Sequence, residues 1–144
     1  MFFTKVRDVK SPQRGTVDSA GLDFFIPSGV PAFTLFPNES INIPSGIKMV
    51  IPKGYAGIFF NKSGVGVKGV LVGAQVVDSD YRGEIHLNVH NVSGKTAKYE
   101  PGQKLVQMLI IPVSLESPVE IDGDQYKTWE NTERGTGGFG STGA

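Results

Sequence analysis

The chain has 144 residues, with 14 Lys plus Arg against 14 Asp plus Glu, no cysteine, 39% apolar residues and 19% charged ones. That is the length of one domain with a sizeable core. Zero net charge argues against a partner such as a nucleic-acid polymer, and the lack of cysteine excludes disulfides, thiolate nucleophiles and Cys-ligated zinc.

The N-terminal MFFTKVRDVK is too short and too charged for a signal sequence, and no apolar run approaches bilayer-spanning length. The expectation is a cytoplasmic protein with no membrane partner. Nineteen glycines and nine prolines cut the chain into short pieces. In order, strands are expected at Met1–Val6, Leu22–Ile26, Ile41–Ile43, Ile47–Ile51, Tyr55–Phe60, Val70–Val77, Ile85–Val92 and Leu105–Ile111. The one helical piece expected is a turn or two near Ser63–Lys68. Ile85, Leu87 and Val89 alternate with polar residues at the period of a half-buried strand. With the polar turn DSDYRGE before Ile85, residues 70–92 read as a hairpin. Such a pattern predicts an all-β fold: a sandwich, barrel or jelly roll of short strands. The domain is expected to span 1–133, with residues 122–133 a polar arm. The closing stretch RGTGGFGSTG, half of it glycine, is either a loose end or a flap that orders on a ligand.

Several motifs fail on inspection. GVGVKG (Gly64–Gly69) fits a dinucleotide loop, but strand-type VLVGAQVV follows where a helix is required. SGKT (Ser93–Thr96) resembles the end of a Walker A loop, yet Val89 stands where its first glycine must be. His86 and His90 share a strand face about 13 Å apart, too far for one zinc, and read as solvated histidines. Asp78 ends an apolar run, where rigid backbone aims it out of the sheet as a general base requires; taken alone, Asx-rich turn chemistry is the better explanation of it. AGLDF and NKSGVG, taken singly, also read as turns.

Together the pieces are more specific. AGLDF (Ala20–Phe24), NKSG (Asn61–Gly64), GAQVVDSDYRGE (Gly73–Glu84), GQKLVQM (Gly102–Met108) and RGTGGFGSTG (Arg134–Gly143) follow one another along the chain. Their order and residues resemble the five motifs of the trimeric deoxyuridine triphosphatases (dUTPases). The resemblance implies a jelly-roll-like homotrimer that hydrolyses dUTP to dUMP and pyrophosphate with Mg²⁺. It implies that Asp78 activates the attacking water, that backbone around Gln75, Val76 and Val77 reads uracil, and that Tyr81 packs under deoxyribose. Lys62, Ser63, Gly64 and Gln107 would contact phosphates, and Asp23 would support waters around a Mg²⁺ that has no direct protein ligand. Residues 134–144 would be a lid: Phe139 over uracil, Arg134 at the γ-phosphate, and Gly140, Ser141 and Thr142 around the rest.

The chain departs from that pattern in places. Asn61-Lys62 replaces the usual Pro-Arg, Gln103-Lys104 replaces Asp-Arg, and Gln75 replaces a frequent glycine. Two other readings share the fold: a dCTP deaminase, disfavoured by the fifth motif, and a regulatory protein that senses dUTP and binds a protein partner.

Overall fold

The structure, a computed structural model, describes residues 1–138, so the roles expected of Phe139, Gly140, Ser141 and Thr142 lie outside the described residues. Within them the chain forms strands β1 (Phe2–Lys5), β2 (Leu22–Phe25), β3 (Phe33–Leu35), β4 (Ser40–Pro44), β5 (Ile47–Val50) and β6 (Tyr55–Asn61), then the short helix α1 (Ser63–Gly66). Strands β7 (Val70–Val72), β8 (Val76–Val77), β9 (His86–Asn91), β10 (Ala97–Tyr99) and β11 (Lys104–Pro112) follow, and helix α2 (Gly123–Lys127) comes last. Every named strand pair is antiparallel. The sheets run β2-β11-β6-β8, β4-β9-β7, β1-β5 and β10-β3. The all-β class is as expected.

Alternation explains β9: Leu87 and Val89 are buried while His86 and His90 face out. Opposite them on β4, Ile43 pairs with Leu87 and Ile41 with Val89, so the inward face of this sheet is continuous. Phe24 and Phe59 meet edge to face at 5.1 Å inside the same core. The nine-residue β11 runs between β2 and β6 and buries Leu105, Val106 and Met108.

The structure corrects three expectations. Val70–Val77 is not one strand: Gly73 to Gln75 break it, β7 pairs with β9, and β8 crosses to β6. Strands β3 and β10 went unforeseen because each is only three residues long. Their pairing is non-local, and Phe33 and Tyr99, whose ring centroids lie 5.5 Å apart, pack across it. A second helix, α2, opens at Asp122, whose side chain accepts from the Gln125 N–H at 2.8 Å, an N-cap.

The chain divides into two compact units, Met1–Ser114 and a second that begins at Leu115. The buried core lies wholly in the first. In the second, no residue from 115 to 138 is buried, and hydrogen bonds between neighbours in sequence supply its order.

Candidate active site

Two groups of the expected residues form within the first unit. One surrounds Asp78. Strand β8 is the outer strand of its sheet, paired on one side through Val76–Ile58 and Val77–Gly57. Among the described residues its other backbone edge has no strand partner. The Gln75 carbonyl is already committed, accepting from the Phe59 N–H at 2.8 Å. Val76, Val77, Asp78 and Tyr81 line a cavity of about 190 Å³ with Phe59 and His86. Asp78 is exposed, and among the described residues its carboxylate makes no ion pair or hydrogen bond.

The turn after Asp78 is held from both sides. The Tyr81 hydroxyl donates to the Glu84 carbonyl at 2.9 Å, which is possible because residue 83 is glycine: a Cβ there would sit 2.3 Å from that hydroxyl. The Glu84 carboxylate accepts from Arg7 Nε at 2.7 Å, Arg7 Nη2 at 3.1 Å and the Gly46 N–H at 2.8 Å. Hydrogen bonding to Arg7 holds its pKa below the ordinary glutamate value despite partial burial. Nothing in the sequence linked residues 7 and 84.

The second group surrounds Asp23. Strict alternation would put Lys104 and Gln107, three apart, on opposite faces of β11. A register shift between Lys104 and Val106 changes this: Lys104 pairs with Phe25 and Gln107 with Asp23. Residues 23 and 25 share a face, so the bulge turns Lys104 and Gln107 to the same side as Asp23 and leaves consecutive Leu105 and Val106 both buried. Lys62 contacts Asp23 Oδ1, and Lys104 lies 2.8 Å from Oδ2. Gln107 Nε2 donates to the Asn61 carbonyl at 2.9 Å. Gly21 leaves room for this, since a Cβ there would fall 2.4 Å from Gln107 Oε1. Asn61, where the motif usually has proline, uses its side chain to accept from the Val72 N–H at 2.7 Å.

Burial alone pushes the Asp23 carboxyl pKa up; hydrogen bonds and charge from Lys104 and Lys62 outweigh it and hold the group below the ordinary aspartate value. Ser63 and Gly64 follow directly in α1, whose turn closes through the Val65 and Gly66 N–H groups on the Lys62 carbonyl. The cluster gathers two ammonium groups and the Gln107 amide on one side of the sheet. Sequence reasoning missed Lys104 and Gly21, and the bulge that recruits Lys104 has no sequence signature.

Among the described residues no three His, Cys, Asp or Glu side chains gather to hold an ion. Both Asp23 oxygens already face ammonium groups. In the second unit, Arg134 Nε donates to the Gly137 carbonyl at 3.0 Å within a tight turn.

The family model described as dUTPase matches residues 7–143. The chain belongs to the dUTPase family. It is 37% identical over 140 residues to the deoxyuridine 5'-triphosphate nucleotidohydrolase of Wolbachia sp. subsp. Brugia malayi (strain TRS), covering 95% of this chain and 87% of that one. The protein of the same name from Hydrogenobaculum sp. (strain Y04AAS1) is 34% identical over 139 residues, covering 94% and 92%. Among solved structures, the Staphylococcus bacteriophage 80alpha dUTPase with dUPNHPP superposes with a TM-score of 0.84 at 22% identity, covering 99% of this chain and 98% of that one. The native EIAV dUTPase gives 0.70 at 22% identity, covering 85% and 96%. At these identities the structural likeness carries the fold alone. The phage enzymes' described control of virulence-gene transfer remains theirs. Among the described residues no helix is long and apolar enough to cross a membrane.

Proposed function

We propose that this dUTPase-family chain hydrolyses dUTP to dUMP and pyrophosphate by direct attack of water, with Asp78 as general base. The observation that carries the reading is Asp78 itself: an exposed carboxylate without a partner among the described residues, at the end of a rigid strand, beside a small cavity walled by Val76, Val77 and Tyr81. A water proton passes to Asp78 as the water oxygen bonds to the α-phosphorus. The bond from that phosphorus to the bridging oxygen breaks, and pyrophosphate leaves with the electron pair. The unpaired edge of β8 hydrogen-bonds the uracil, and the Tyr81 ring, fixed by its hydroxyl, supports the deoxyribose. Mg²⁺, held on the triphosphate's own oxygens, would neutralise charge there. Asp23 keeps Lys62 and Lys104 in place at the phosphate-binding surface, with Ser63, Gly64 and Gln107 beside them.

These groups do not converge in one chain. Asp78 follows Val77, which pairs with Gly57, so Asp78 lies beside the start of β6, whereas Lys62 follows its end. Six strand residues separate the two ends by roughly 20 Å, too far for one α-phosphate to touch both. This spacing supports a site completed between copies, with Asp78 from one chain, the Asp23 cluster from a second and the tail from a third, in a C₃ homotrimer.

Two measurements test the reading. Pyrophosphate release should be fast from dUTP and slow from dCTP, UTP and dTTP. Asp78→Asn keeps the shape of the group and removes its basicity, so turnover should fall at least about 100-fold with nucleotide affinity nearly unchanged. Near-normal turnover in that variant would overturn the assignment.

A further inference from the structure

The two glycine-rich stretches that fail as nucleotide motifs meet in the fold. Residues of GVGVKG (Gly64–Gly69) and of SGKT (Ser93–Thr96) line one cavity of about 800 Å³, and the Val92 N–H donates to the Gly69 carbonyl at 2.8 Å to join the two turns. Lys68, Lys95 and Lys98 line it, and no carboxylate does. Among the described residues none of these lysines has an ion-pair partner. Three unpaired ammonium groups around one concavity concentrate positive potential in it.

The walls are firmly built. Asn91, fully buried, donates to the Leu35 carbonyl at 2.9 Å and the Lys95 carbonyl at 2.8 Å, and its Oδ1 accepts from the Ser93 N–H and hydroxyl. The SGKT turn is thereby fixed to the core, as a preorganised site requires. Tyr99 also lines the cavity at 7% exposure, and its hydroxyl is shielded from solvent with no hydrogen-bond partner among the described residues.

We propose that this cavity is a second ligand site, distinct from the Asp78 and Asp23 clusters, that takes a phosphorylated small molecule through Lys68, Lys95 and Lys98. Its volume lies in the range of small-molecule sites, roughly 300–1,000 Å³. Lysines act as mobile point charges and suit phosphate oxygens, where a planar carboxylate would favour arginine forks.

The test uses the full-length, assembled protein labelled with ¹⁵N and titrated with inorganic tripolyphosphate. The amides of Gly69, Gly94, Lys95 and Thr96 should shift and saturate. In the Lys68→Ala, Lys95→Ala, Lys98→Ala triple variant the half-saturation point should rise at least about tenfold, the loss expected when charge-assisted contacts go. Tripolyphosphate also reaches the Asp23 cluster, so shifts at Ser63 and Gly64 should persist in the variant, and its dUTP turnover should stay within about twofold of the parent, since none of the three lysines lies at that site. Three outcomes would overturn the proposal: no shifts at residues 69 and 94–96, equal shifts in the triple variant, or the same shifts from sodium chloride at matched ionic strength. The first would also be the result if a second copy of the chain filled the cavity. Because the readout is binding at the far turns, its failure leaves the Asp78 assignment standing.

Discussion

Between Lys62 and Lys104, the Asp23 carboxylate does two things at once: it neutralises part of a positive cluster and fixes where the remainder points. Its side chain is 6% exposed, whereas Lys62 and Lys104 are 25% and 41% exposed and can rehydrate if it is lost. Asp23→Asn should therefore cost about 1–3 kcal/mol, less than breaking a wholly buried pair. The pH dependence has a definite sign. The pairing lowers the folded pKa of Asp23 below its unfolded value. Its contribution is therefore fully present above the unfolded carboxylate range, about pH 4, and is lost as pH falls through the folded value. Urea unfolding of the parent and of Asp23→Asn should show a constant gap from pH 7 to about pH 5 that closes in more acidic buffer. A gap that widens toward acid would mean that the lysines do not stabilise the carboxylate.

The turn from β8 to β9 shows how a local element depends on a distant residue. Arg7 grips Glu84 with two hydrogen bonds, and Glu84 in turn presents the carbonyl that holds Tyr81. Arg7 is about half exposed and its ion pair is screened by water, so Arg7→Ala should change stability little. Its effect should appear instead in positioning: kcat/KM for dUTP falling several-fold while the unfolding midpoint barely moves, because a small displacement of reacting groups is costly. Unchanged kcat/KM would show that the turn holds its shape without the clamp. This contact also marks the limit of legibility. Period-2 alternation made β9 readable, and its polar turn marked the loop that carries Asp78. The break after Val72 was not readable, because the apolar residues on either side of Gly73 serve different sheets. Nor were β3 and β10, whose stability is wholly non-local, or the β11 bulge, which moves Lys104 beside Asp23 without changing the composition of the strand. The motif residues of the candidate site could be listed from sequence, but the partners that hold them could not.

At the scale of the whole molecule, the proposed reaction calls on residues that lie far apart along the chain's own strands. Asp78 lies about 20 Å along β6 from the Asp23 cluster, and Arg134 belongs to the second unit. A complete site in the proposed trimer draws Asp78, the phosphate cluster and the tail from three different copies. Asp78→Asn trimers and trimers truncated after Glu133 should each be nearly inactive. Unfolded and refolded together at equal concentration, about three-quarters of the trimers should be mixed. Cyclic order then gives every mixed trimer one site in three with an intact Asp78 from one neighbour and an intact tail from the other. Activity should return to roughly a quarter of the parent level, a value set by the three-fold geometry rather than by either mutation. If carboxylate and tail came from the same copy, no mixture could combine them. Activity staying at the level of the separate variants, with mixed trimers demonstrated by mass, would then place both on one chain and require the arm to fold back onto its own subunit.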